Sequence, residues 1–199
     1  MTFEEELQKA IRDRVDTIQP FTQIPEKELE QRVEEEARPQ ALLSYLDDLM
    51  QMGLFPITER INNISSNAVE AGYYFLFYAG GGKDCSNNHA YLCREPVLEG
   101  NSVKIQLAYY GNGGLHHIGQ LEFIPPGPKE CNGFRFEIFS EGKTDARKIL
   151  SVFSKQTGIS FSGMNYNIEK PAEMGLPSNV TVRGTYRFRE EKDSRGDEK

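Results

Sequence analysis

Val103-Lys104-Ile105-Gln106-Leu107-Ala108-Tyr109-Tyr110-Gly111-Asn112-Gly113-Gly114-Leu115 is the stretch whose reading decides the fold. Val103, Ile105, Leu107 and Tyr109 alternate with Lys104, Gln106 and Ala108, the two-residue period of a half-buried strand. Gly111 to Gly114 then offers the positive φ values that a hairpin loop requires. A return strand is predicted from Leu115 to about Ile124, where Pro125-Pro126 ends it.

Outward from this hairpin the same alternation recurs. Phe134, Phe136 and Ile138 alternate with Arg135 and Glu137. Tyr73 to Tyr78 is aromatic at every second and every first position except Leu76, as in a central strand covered on both faces. His89 to Arg94 reads as a short strand and Ile159 to Ile168 as an extended segment. The last strand sets Val182, Gly184, Tyr186 and Phe188 on one face, and Thr181, Arg183, Thr185, Arg187 and Arg189 on the other. One helix interrupts the series after Gly142, with Ala146, Ile149, Leu150 and Phe153 on a single stripe.

The front of the chain has a different period. Thr2-x-x-Glu5 has capping-box spacing, followed by Phe3, Leu7, Ile11 and Val15 at four-residue steps. A second helix is expected from Pro25 to Ala37, interrupted by Pro39, and a third from about Gln40, closed by Gly53 as a C′ glycine. Ile57, Ile61, Ile64 and Ala68 suggest a fourth. The expected class is therefore α+β: N-terminal acidic helices, then a mainly antiparallel curved sheet of six or seven strands, with one helix inserted before the last two. Residues 1–70 form the helical segment that packs on the body, 71–189 the β-rich body, and 190–199 a charged tail expected to be disordered.

Charge separates the two regions. Residues 1–60 hold fourteen acidic and seven basic side chains, and the remaining sixteen of each sign cancel, so the whole net charge of −7 belongs to the front. An acidic segment repels phosphate backbones and anionic lipid, which argues against nucleic-acid and membrane partners. With 38% hydrophobic and 27% charged residues the chain has a globular composition. It has no apolar run near the ~18 residues of a membrane span and no basic, apolar leader. Three cysteines suit a reducing compartment, and a cytoplasmic location is expected.

All three cysteines and all three histidines lie between Cys85 and Cys131. Cys85-x3-His89-x3-Cys93 has the atoms for zinc but not the spacing. On a strand, His89 and Cys93 stand ~13 Å apart at ~3.3 Å per residue. No metal or other cofactor is expected, and ordinary packing accounts for Cys93. Cys85 follows Gly80-Gly81-Gly82-Lys83-Asp84, a loop able to lower a thiol pKa, with His116 or His117 as a base folded back from the hairpin. An incidental loop cysteine explains the same residues. His116 and His117 are adjacent on a strand and so face opposite sides. Gly142-Lys143-Thr144 lacks the glycines of a phosphate loop. Arg183 and Arg187 read either as a solvated face paired with neighbouring glutamates or as an acceptor for carboxylate or phosphate, including the protein's own acidic helices. Tyr78, Tyr91, Tyr109 and Tyr110 beside the glycine turns make either edge packing or a recognition rim.

The function expected from these features is that of a cytoplasmic, non-catalytic binding or regulatory protein. It would use the acidic helices and the Tyr/Gly rim, with Lys83, Tyr91, Tyr109, Tyr110, Arg183 and Arg187 at the ligand and a basic protein surface as partner. The alternative is a small-molecule-binding protein or enzyme with a pocket in the curved sheet, using Cys85, His116 and His117.

Overall fold

Thr2 starts the first helix, α1 (Phe3–Ile18): its Oγ1 accepts from the Glu5 N–H at 3.3 Å, and the Glu5 carboxylate accepts from the Thr2 N–H at 2.7 Å. The capping box is formed, and Phe3, Leu7, Ile11 and Val15 make the buried stripe that the sequence spacing called for. A computed structural model describes residues 2–57, 72–79, 89–111, 114–126, 132–140, 143–170 and 178–189, with the backbone alone at 140 and 143–145.

After a short 3-10 turn at Gln19–Phe21, α2 runs unbroken from Glu26 to Gly53, 28 residues through Pro39. The break expected at Pro39 does not occur. An internal proline costs ~3 kcal/mol. Against that, Leu29, Val33 and Ala37 before it and Leu42, Tyr45, Leu46 and Met50 after it are all buried on the same helix. Each large side chain contributes ~1.5–3 kcal/mol, so packing wins. Gly53 is the last helical residue rather than a left-handed cap. Its role is proximity: a Cβ there would come within 2.1 Å of the Gln156 carbonyl oxygen of the late helix. The expected fourth helix lies outside the described residues apart from Ile57, which is buried.

The body is an antiparallel sheet of β1 (Phe55–Pro56), β2 (Tyr73–Tyr78), β3 (Ala90–Arg94), β4 (Val97–Glu99), β5 (Ser102–Gly111), β6 (Gly114–Phe123), β7 (Gly133–Ser140), β8 (Ser160–Glu169) and β9 (Ser178–Arg187). Helix α3 (Lys143–Thr157) precedes β8. The spatial order is β1-β2-β3-β5-β6-β7-β9-β8, with β4 paired to β5 beside this path, and the sheet stays open. There are nine strands rather than six or seven, because β1 and β4 are too short to show a period. Tyr73–Tyr78 is not central: it lies next to the outermost strand, and its two-sided aromatic content fills two separate clusters.

The decisive hairpin is in place, with Val103 opposite Phe123 and Tyr109 opposite His116. Its register slips between Leu107 and Ala108, leaving Ile118 as an extra residue beside Gly119. A Cβ on Gly119 would stand 2.0 Å from the Glu137 carbonyl oxygen, so β6 and β7 need the bare backbone there. Further slips lie between Phe75 and Phe77 and between Ser162 and Asn165. Such bulges bend a sheet. The bend closes on α3, which packs against β2 at one end as well as β7, β9 and β8 at the other. All three helices share one core with the inner face, including Val103, Ile105, Phe123, Phe136, Phe153, Val182 and Tyr186. A smaller cluster of Ile57, Phe75, Ala90, Leu92 and Ala108 lies on the outer face.

Candidate functional site

Three strands bring a row of rings together at the rim of the inner face. Phe77 of β2 is registered opposite Tyr91 of β3, and Tyr91 opposite Tyr109 of β5. The Phe77 and Tyr91 rings stack at 4.7 Å between centroids, and Tyr91 meets Tyr109 edge-on at 5.3 Å. The slip in β2 matters here: without Leu76 as the extra residue, Phe77 would point to the other face. Lys148 of α3 places its Nζ 4.7 Å from the Phe77 centroid, so a cation caps one end of the row.

The other end is polar. Tyr109 Oη lies 2.8 Å from His89 Nδ1, with the donor set by the imidazole tautomer. His116 continues the row on β6, directly opposite Tyr109. The Tyr109 ring lies over Gly111, where a Cβ would sit 2.5 Å from its Cε1. Glycine at 111 therefore leaves room for the ring. All three rings of the row are half-buried.

The structure divides the other residues singled out from the sequence. Tyr78 and Tyr110 belong with the outer-face cluster, so the four rim tyrosines serve two faces. His116 and His117 are both exposed and oppose Tyr109 and Ala108 respectively, which sends them to opposite faces. Cys93 is fully buried, and burial pushes its thiol pKa far up, so it stays a neutral core side chain. Lys83, Cys85 and Cys131 lie outside the described residues.

Arg183 and Arg187 are exposed on the outer face. There a row runs Lys104, Glu122, Arg135, Arg183, Asn165 across five strands. Alternating charge fails at Arg183, which meets Arg135 where an acid would continue the pattern. Arg135 pairs with Glu137 on its own strand. Neither Arg183 nor Arg187 has an ion-pair partner among the described residues. The acidic helices of the same chain do not supply one, because they pack on the inner face.

The helices carry a second surface. A groove of about 500 Å³ between α1 and α2 is lined by Glu6, Lys9, Asp13, Arg14, Glu36 and Gln40. At the hairpin's tip Phe21 is 89% exposed, a feature hidden in the sequence by its neighbour Pro20 and the absence of any period. Farther along α2, Asp47 faces Glu95 and Asp48. Burial first and then these two carboxylates raise its pKa above the ordinary carboxylate value. The same burial, with Asp47 and Glu95, raises Tyr74.

No protein-family model matches the chain, and no curated protein or solved structure matches it.

Proposed function

We propose that the protein is a non-catalytic binding protein of the cytoplasm. The acidic α1–α2 pair would attract a basic protein surface, and the aromatic row at the sheet rim would give the contact its specificity. The observation that carries this reading is the row itself: Phe77, Tyr91 and Tyr109 in one register, flanked by Lys148 and His89. Rings with apolar bodies and polar tips dominate binding energy at interfaces. The exposed Phe21 beside acidic helices supports the helical half of the reading.

The small-molecule reading keeps one specific support, the Tyr109–His89 contact, which is a ready donor–acceptor pair at the sheet rim. Native mass spectrometry of protein isolated from its own cells separates the two. A retained second chain, released by salt, is the expected result. A retained small mass in its place selects the alternative, and a bare monomer at all salt concentrations defeats both. Glu34, Glu35 and Glu36 changed together to Gln should weaken the complex at low salt and much less at high salt. The substitution removes ion pairs to Arg38 and Arg14. The exposed Arg14–Glu36 pair contributes only ~0–1 kcal/mol. The more buried Arg38 keeps its bond to the Pro126 carbonyl and can still donate to the amide oxygen that Glu34→Gln leaves, so the fold survives the change.

A further inference from the structure

The outermost strand β8 presents ten residues, Ser160–Glu169, at the end of the sheet. Natural proteins blunt such edges with lysine, proline, bulges or very short strands, because unpaired backbone donors and acceptors template another strand. β8 contains neither lysine nor proline, and its one charge is the terminal Glu169. Its one interruption is the bulge at Gly163, φ 60°, beside the exposed Met164.

Beside this edge α3 forms one wall of a groove of about 430 Å³, lined by Arg147, Leu150, Ser154, Phe161, Met164 and Tyr166. Leu150, Phe161 and Met164 make its floor apolar. Arg147 holds its guanidinium 5.2 Å above the Tyr166 centroid and makes no ion pair among the described residues. α3 is the basic element of an acidic chain, with Lys143, Arg147, Lys148 and Lys155 against the single acid Asp145. An edge strand, an adjoining helix, an apolar floor and an unneutralised cation are the parts needed for strand addition with side-chain selection.

We propose that this groove binds an extended segment of a partner protein as a tenth strand along β8. Alternate apolar side chains of the segment would seat among Leu150, Phe161 and Met164, and an acidic one would reach Arg147. The site lies at the opposite end of the strand order from the aromatic row and stands or falls independently of it.

The test uses isotope-labelled full-length protein and two capped heptapeptides that alternate valine with threonine, one carrying a glutamate at a threonine position and the other a lysine. The glutamate peptide should shift backbone amides of Ser160–Glu169 and of Arg147–Ser154 saturably. The lysine peptide should bind at least about tenfold more weakly, a factor worth ~1.4 kcal/mol. Arg147→Glu, a change at an exposed helix position, should reverse that preference. Absence of shifts at β8 in millimolar peptide overturns the proposal. So does a concentration-dependent dimer of the peptide-free protein that Met164→Lys abolishes, since the edge would then belong to a second copy.

Discussion

At one end of the sheet the outermost strand is β1, two residues long and carrying Pro56; at the other it is β8, ten residues long without a proline. The short edge adjoins the aromatic row on the inner face of β2, β3 and β5. The long edge adjoins the basic helix α3. One sheet thus ends in two kinds of surface: rings set by side-chain register at one end and, at the other, a ten-residue strand whose sheet neighbour among the described residues is β9 alone. The bulge at Leu76 builds the first by turning Phe77 inward, and the basic helix α3 borders the second.

The sharpest way to break this contrast is at the joint between the ends. Gly119→Val should cost more than about 3 kcal/mol in chemical denaturation, because the new Cβ meets the Glu137 backbone, which cannot rotate away. If the variant unfolds like the parent, the two ends are not held by that close strand contact. Next in size is the fastening of the β9 end. Tyr186 is buried, and its hydroxyl donates to the Ile124 carbonyl at 2.9 Å. Tyr186→Phe leaves that carbonyl unpaired, an expected loss of ~1–2 kcal/mol read as a lowered denaturation midpoint.

Tyr109→Phe probes the aromatic end with a smaller effect. It removes the contact with His89 and should cost about 1 kcal/mol or less, while changing the imidazole's proton-exchange behaviour by NMR. An unperturbed His89 signal would mean that the pair is not formed in solution.

Two changes should stabilise. The folded-state pKa of Asp47 is raised, so the folded protein binds this proton more tightly than the unfolded chain does. Stability from this group is therefore highest at acid pH and falls as pH rises from the ordinary carboxylate value through the raised one. Asp47→Asn should raise the melting temperature slightly at about pH 7 and not near about pH 3, the gain being small because solvent screens this carboxylate. Arg183→Thr removes a like charge directly opposite Arg135, with an expected gain of ~0.2–0.5 kcal/mol that fades at high salt. A loss of stability on that change would mean that Arg183 has an acid partner in solution.

Much of this architecture was legible because periods of two and of four survive in the side chains. Val103–Tyr109, its return strand, the Phe134–Ile138 alternation and the Ala146–Phe153 stripe each became the expected element. The continuous α2 was not legible, since Pro39 argues locally for a break and the burial that overrides it comes from tertiary packing, chiefly against α1 and also against α3, β4 and β5. The row of rings was half legible. Tyr91 and Tyr109 stood out by type, but Phe77 joins them through a bulge and Lys148 from a helix 71 residues later in the chain. Cross-strand register has no signature in one sequence. Nor could the composition of Arg183 and Arg187 reveal that the neighbour of the former is another arginine.

The most direct test of the central claim replaces Tyr91 and Tyr109 together by Ala and follows the chain that copurifies with the protein. The expected result is loss of that chain, with cooperative unfolding kept and the sheet's far end unchanged in amide spectra. Full retention of the bound chain by a folded double variant would contradict the account, because the rings would then be packing and nothing more.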